Sequence, residues 1–305
     1  MQRKDLLGLK DVSKDEILRI LFTAFQMKKI LKSGNKKTPH LQGKSVVTLF
    51  YENSTRTRVS FDLACKYLSA ASSNVSASSS SVSKGETLLD TARTLDRMEV
   101  DILIMRHPMA GAPHLMAKHV NASVINAGDG MHEHPTQSLL DMMTIKERFG
   151  ALEGLKIAIA GDVLHSRVAR SNIYGMNAMG ANVHIVAPKT MLPYGIEELG
   201  AKVHNNVEDA VDGANVIMGL RIQKERQSAG IFPSIREYHK FFGIDEKRVA
   251  LADKDVMIMH PGPVNRGAEL SSMVMDYDNC VIDEQVTNGV AVRMALLFML
   301  TRQNN

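Results

Sequence analysis

Residues 54–58 read Ser-Thr-Arg-Thr-Arg, between an apolar run at 45–50 and an amphipathic stretch at 59–68. The pattern predicts a strand, a tight turn and a helix start. A helix start presents unbonded backbone N–H groups and the positive end of the macrodipole, so it attracts an anion. Two guanidinium groups and three hydroxyls at the same turn add the charge and donors that phosphate accepts. An ordinary Ser/Thr cap uses one hydroxyl. With residue frequencies near ~5%, this pentapeptide arises by chance in only about 10⁻⁴ of chains this long. The turn reads as a phosphate cradle.

The elements that must hold such a turn follow a repeating rhythm. Strand-like runs at 45–50, 74–77, 101–105 and 123–126 alternate with helical patterns at 56–68, 87–98, 112–119 and 135–149. Further strands at 155–160, 182–186, 215–218 and 256–259 are separated by helical stretches such as 167–179 and 234–242. Strands interleaved with helices imply crossover units and parallel pairing. The expected fold class is therefore α/β, with two domains, each a mainly parallel sheet flanked by helices. Gly150, Gly154 and the polar stretch 151–156 mark the break in rhythm. Residues 1–20 alternate charge with Leu and Ile and read as an amphipathic helix rather than a signal peptide. The last helix, 284–302, is apolar on too many sides to lie exposed and should dock on the first domain. Stretch 72–83 carries eight serines. It reads as a flexible linker, although Lys84-Gly85-Glu86-Thr87 right after it keeps a functional reading open.

In open α/β sheets, ligands collect at the carboxyl ends of strands. Polar or special-backbone residues follow seven of the expected strands: Ser54–Arg58, 80–87, Arg106-His107-Pro108, Gly128 with 132–137, 161–167, Arg221-Ile222-Gln223 and 260–263. Arg167 could be an exposed helix cation, but it lies in the first turn after a strand end. Arg221 could be a solvated member of the charged run 221–226. His132 and His134 could be a metal pair, but Pro135 is a typical first helical residue, so the pair more naturally straddles a loop and a helix start. Gly161-Asp162 lacks the glycine spacing of a dinucleotide fingerprint.

Bulk properties narrow the classes further. The 305 residues exceed one comfortable core and suit two domains. The composition, 44% apolar and 23% charged, is that of an ordinary globular protein. A net charge of +4 suits anionic small substrates and is too weak to argue for nucleic acid. Cys65 and Cys280 lack metal-ligand spacing, and no uncharged run is long enough to cross a bilayer. The expectation is a cytoplasmic protein without membrane or nucleic-acid partners. The 19 methionines read as core filling.

Taken in order, Ser54-Thr55-Arg56-Thr57-Arg58, His134-Pro135-Thr136-Gln137 and His260-Pro261-Gly262-Pro263 resemble the motifs of the aspartate/ornithine carbamoyltransferase family. The resemblance spans essentially the whole chain. Ser80 with Lys84-Gly85-Glu86-Thr87, Arg106-His107-Pro108 and the run from Arg221 to Arg226 resemble the aspartate branch. The cysteine and Ser-Met-Gly marks of the ornithine branch are missing. The resemblance implies a carbamoyl-phosphate-binding domain, 1–134 with 285–305, an aspartate-binding domain, 135–284, and an active site in the cleft between them. It implies that Ser54, Thr55, Arg56, Thr57 and Arg106 hold the phosphate. Thr57, Arg106 and His134 would stabilise the carbonyl oxygen, while Gln137 and the segment Pro261, Gly262 and Pro263 orient the carbamoyl group. Ser80, Lys84, Arg167, Arg221 and Gln223 would hold L-aspartate. No cofactor or metal is expected. A homotrimer is implied, with Ser80 and Lys84 reaching a neighbour's site, and regulatory chains are possible. The alternatives are a carbamoyltransferase for another amino acid such as ornithine, and a non-enzymatic phosphate-ligand sensor.

Overall fold

The computed structural model describes residues 3–76, 85–223 and 234–301. The chain divides into two compact units, Met1–Leu140 with Thr287–Asn305, and Asp141–Val286. Among the described residues no helix is long and apolar enough to cross a membrane.

The first unit opens with α1 (Lys14–Lys32) and continues β1 (Ser45–Phe50), α2 (Thr55–Tyr67), β2 (Ala71–Ser76), α3 (Leu88–Arg97), β3 (Ile102–His107), α4 (Ala112–Ala117), β4 (Ser123–Asp129) and the start of α5 (Pro135–Phe149). The four strands pair in parallel in the order β2-β1-β3-β4. β3 and β4 read as apolar runs because both faces of a parallel sheet are covered. Val47, Leu49, Leu103, Met105 and Val124 pack with Ala92, Leu95 and Met116 in one core cluster. The last helix, Ile282–Thr301, gives its length from Thr287 onward to this unit. There the buried Arg293 donates to Ser60 Oγ at 2.9 Å and lies 5.1 Å over the Phe61 ring.

Two expectations change here. Residues 3–12 are not helical; the Leu6 N–H donates to the Val124 carbonyl at 2.9 Å, so the segment around Leu6 lies beside β4. Alternating charge and Leu satisfies an extended edge as well as a helix, and the helix starts only where Ser13 accepts the Glu16 N–H. The described part of the serine-rich stretch, 72–76, is strand rather than linker, paired with β1 from Ser45↔Ala71 to Phe50↔Ser76. As an edge strand it needs only backbone pairing, so its polar side chains hid its start, and the expected strand at 74–77 begins instead at Ala71. Residues 77–84, with Ser80 and Lys84, lie outside the described residues.

The second unit carries β5 (Lys156–Gly161), α6 (Arg167–Ala178), β6 (Asn182–Val186), β7 (Lys202–His204), α7 (Val207–Val211), β8 (Val216–Leu220), α8 (Ile235–Phe242), α9 (Glu246–Val249), β9 (Met257–Met259) and α10 (Ser272–Met275). Its strands run parallel in the order β7-β6-β5-β8-β9. β7 escaped the sequence reading because it has three residues, none of them fully buried. Ala158, Ala160, Ile217 and Ile258 form the core with Val207, Ala210, Val211 and Val249.

Candidate active site

Each sheet has one place where the chain reverses its direction of growth. In the first unit β1 is followed outward by β2, and the chain then returns to lay β3 on the other side of β1. Strand order therefore switches between β1 and β3, the position where an open α/β sheet leaves a crevice at its carboxyl edge. Ser54–Arg58 follows β1 at that point. Arg106 is the penultimate residue of β3, in register with Phe50.

The turn after β1 does not use its capping hydroxyl as a cap. Ser54 occupies the N-cap position of α2 with extended backbone, yet its side chain makes no cap hydrogen bond. The bland reading of the motif required that bond. Thr55 and Arg56 are exposed, Ser54 is half-buried and Thr57 is buried. Arg106 is 13% exposed at its side chain, and its Nε lies 3.3 Å from the Glu52 carboxylate. Its Nη1 donates to the Ala127 carbonyl at 3.4 Å. The Tyr51 N–H bonds the Arg106 carbonyl at 2.9 Å, locking the two strand ends together.

β4 is the next strand outward, and its connection to α5 presents His134 and Gln137. His134 is 5% exposed; its carbonyl accepts the Gln137 N–H at 3.0 Å and its Nδ1 lies 3.5 Å from Thr136 Oγ1. Pro135 is the first residue of α5, as expected of a proline after a loop. The connection is fixed by Asp129, which is fully buried and which sequence reasoning passed over. Its carboxylate accepts N–H groups of Gly111 at 2.7 Å, Asn126 Nδ2 at 2.8 Å and Glu133 at 3.1 Å. Burial pushes this carboxyl up, but the hydrogen bonds of His132, Asn126 and Gly111 outweigh it and hold it below the ordinary value. Gly130 has φ +48°, and a Cβ there would lie 2.8 Å from the Ala110 nitrogen. Only glycine lets the loops after β3 and β4 approach this closely. His107 accepts the Met109 N–H at Nδ1, which places any proton of the neutral ring on Nε2; burial holds its pKa low.

In the second unit the switch lies between β5 and β8. Arg167 is the first residue of α6 after β5, under the Ser166 cap, and is only 4% exposed. That burial removes the reading of an exposed helix cation. Arg221 and Gln223 directly follow β8, both half-buried. The two loops are joined by Asp162, which the sequence reading weighed only as part of a dinucleotide fingerprint. It is fully buried, accepts His165 Nδ1 at 2.8 Å and receives the Gln223 N–H at 3.3 Å. Glu269 anchors the β8 loop from below by accepting the Ile222 N–H at 2.8 Å and two donors of Asn265; burial raises its pKa. At the end of β9, His260 Nδ1 accepts the Gly262 N–H at 2.8 Å, shaping the Pro261–Pro263 turn. The His260 N–H donates to Gln285, which with Asn172 holds Asp141. Residues 224–233 of the charged run lie outside the described residues.

Of the cations expected from sequence, Arg56, Arg106, Arg167 and Arg221 thus lie at the switch points of two separate sheets, whereas Lys84 lies outside the described residues. The family model described as aspartate/ornithine carbamoyltransferase, carbamoyl-P binding domain, matches residues 4–147, and the Asp/Orn binding domain model matches 153–300. The chain is 64% identical over 303 residues to the aspartate carbamoyltransferase catalytic subunit of Ruminiclostridium cellulolyticum, covering 99% of this chain and 97% of that one. It is 62% identical to the corresponding subunit of Acetivibrio thermocellus, over 100% of this chain and 98% of that one. Among solved structures, Trypanosoma cruzi aspartate transcarbamoylase in complex with carbamoyl phosphate superposes with TM-score 0.86 at 30% identity, covering 96% of this chain and 95% of that one. Pyrococcus furiosus ornithine carbamoyltransferase gives 0.85 at 32%, with the same coverages. With both halves matched and full-length identity this high, the chain belongs to the aspartate/ornithine carbamoyltransferase family.

Proposed function

We propose that this enzyme transfers the carbamoyl group of carbamoyl phosphate to the α-amine of L-aspartate, giving N-carbamoyl-L-aspartate and phosphate. The observation that carries the reading is the Ser54–Arg58 turn beside Arg106 at the β1/β3 switch, with a capping position whose side chain is not used as a cap. Ser54, Thr55, Arg56 and Thr57 take the phosphate, and Arg106 leaves Glu52 to join them. Thr57, Arg106 and His134 donate to the carbonyl oxygen as it gains charge. Gln137 and the Pro261, Gly262 and Pro263 turn orient the carbamoyl NH₂. Arg167, Arg221 and Gln223 bind the aspartate carboxylates, with Ser80 and Lys84 supplied by a neighbouring chain in a trimer. The two anionic substrates repel, so the cations act before any bond forms. Holding both at attack distance contributes up to roughly 7–11 kcal/mol. The amine must arrive deprotonated, and the departing phosphate is placed to accept its proton. No covalent intermediate is required.

On this reading the enzyme serves pyrimidine biosynthesis as a cytoplasmic protein, and regulatory chains are compatible with it. Colorimetric detection of ureido product, with carbamoyl phosphate and either L-aspartate or L-ornithine, tests the reading. Product with aspartate alone is expected. Product with ornithine alone, or tight phosphate binding without turnover, overturns it.

A further inference from the structure

Beside the loop that leads to His134, three side chains from two connections meet around one point. His114 comes from α4, Asp129 from the end of β4, and His132 from the following turn. One potential ligand atom of each lies within 4.8 Å of the others. The His114 and His132 rings meet edge to face at 5.4 Å. His132 Nδ1 donates to Asp129 Oδ2 at 3.0 Å. His114 Nδ1 is buried without a hydrogen-bond partner. A buried ring nitrogen in that condition forgoes a bond that most buried polar atoms make.

We propose that His114, Asp129 and His132 form a binding site for a divalent transition-metal ion of the zinc type. Two imidazoles and a carboxylate are a donor set that Zn²⁺ accepts, with the fourth position left to water. At zinc-ligand distances the donor atoms of a tetrahedral site stand ~3.3 Å apart. The His132–Asp129 separation is already close to that, and the ion takes the place of the proton between them. The Asp129 carboxylate is held in place by Gly111, Asn126 and Glu133, which fixes one ligand before the ion arrives. A bound ion ties α4 to the connection immediately preceding His134. The two histidines that sequence spacing paired, His132 and His134, are not the pair used; His132 joins His114 instead.

Zinc titration of chelator-treated whole protein, followed by calorimetry in a non-coordinating buffer, tests the site. One Zn²⁺ per chain is expected, and Co²⁺ at the same site gives visible absorption bands of a four-coordinate ion. His114→Gln and His132→Gln each weaken binding by more than the about 10–100-fold cost of losing a mere supporting partner. His184→Gln, in the other histidine pair of the fold, leaves binding unchanged. Zn²⁺ raises the melting temperature of the parent protein and not of the two variants. Absence of stoichiometric binding, or unchanged binding in both variants, overturns the proposal. Should a variant fail to fold without metal, histidine ring NMR signals of the parent protein decide. The His114 and His132 signals must move on Zn²⁺ addition, and a response confined to other histidines refutes the site.

Discussion

Arg106 meets a carboxylate before it meets any substrate. Its guanidinium lies against Glu52 with both side chains largely buried, and in the proposed mechanism the substrate phosphate displaces that carboxylate. A partly desolvated cation is a stronger donor to developing negative charge than one in water. Arg106→Ala should therefore lower kcat by about 10²–10³, equivalent to about 3–4 kcal/mol, with a smaller effect on the KM for aspartate. Steady-state kinetics at saturating aspartate checks this, and a change only in KM would contradict the assignment. At this scale the sequence was legible where residue types were improbable together, as in Ser54–Arg58. It was silent on Glu52 and Asp129 and gave Asp162 no anchoring role, because a single carboxylate after a strand looks like any solvated loop acid. Their burial and the backbone N–H groups they collect become visible only in three dimensions.

Among the elements, close approach of strand ends sets the crevice, and glycine permits it. Gly161 has φ +140°, and a Cβ there would lie 2.5 Å from the Leu220 carbonyl oxygen. Gly161→Ala combines an unfavourable backbone region with that clash, and should destabilise by at least about 1–3 kcal/mol. Urea unfolding reads the loss. A variant as stable as the parent would show that the β5 and β8 ends do not need their spacing. The same sheet carries a pH-sensitive pair: His184 Nδ1 lies 2.8 Å from His204 Nε2 in stacked rings. Burial, then Lys156, His204 and Lys202, lowers the His184 pKa from 6.5 to about 4. Between those values the unfolded chain binds a proton that the folded one refuses, so stability rises with pH across the window and is lost as pH falls. His184→Gln should flatten that slope in urea midpoints measured between pH 4.5 and 7. A slope identical to the parent would assign the effect elsewhere. The strands that sequence placed well are those buried on both faces, since their apolar runs are long. The edge strands β2 and β7, and the extended N-terminus, were misplaced or missed because edges tolerate polar side chains and need only backbone pairing.

For the whole molecule, the sequence showed the repeated strand–helix rhythm and hence two parallel sheets, but not their strand orders. Those orders matter most, because they put the predicted cations at a switch point in each sheet. Assembly is argued at this scale as well. The proposal that Lys84 is supplied across a subunit interface predicts that trimers of Lys84→Ala alone or Arg56→Ala alone are inactive. Mixed trimers of the two should regain activity, because some interfaces then carry both parental contributions. Mixing, dissociating and reassembling the two variants measures this, and no recovery would reject shared sites.

The division of labour between the two switch points can be measured directly by calorimetric titration of carbamoyl phosphate into the parent, Arg56→Ala and Arg221→Ala proteins. Arg56→Ala should lose most of the affinity, whereas Arg221→Ala should bind carbamoyl phosphate as the parent does and show its defect only in the KM for aspartate. Parental affinity in Arg56→Ala would contradict the account at its root.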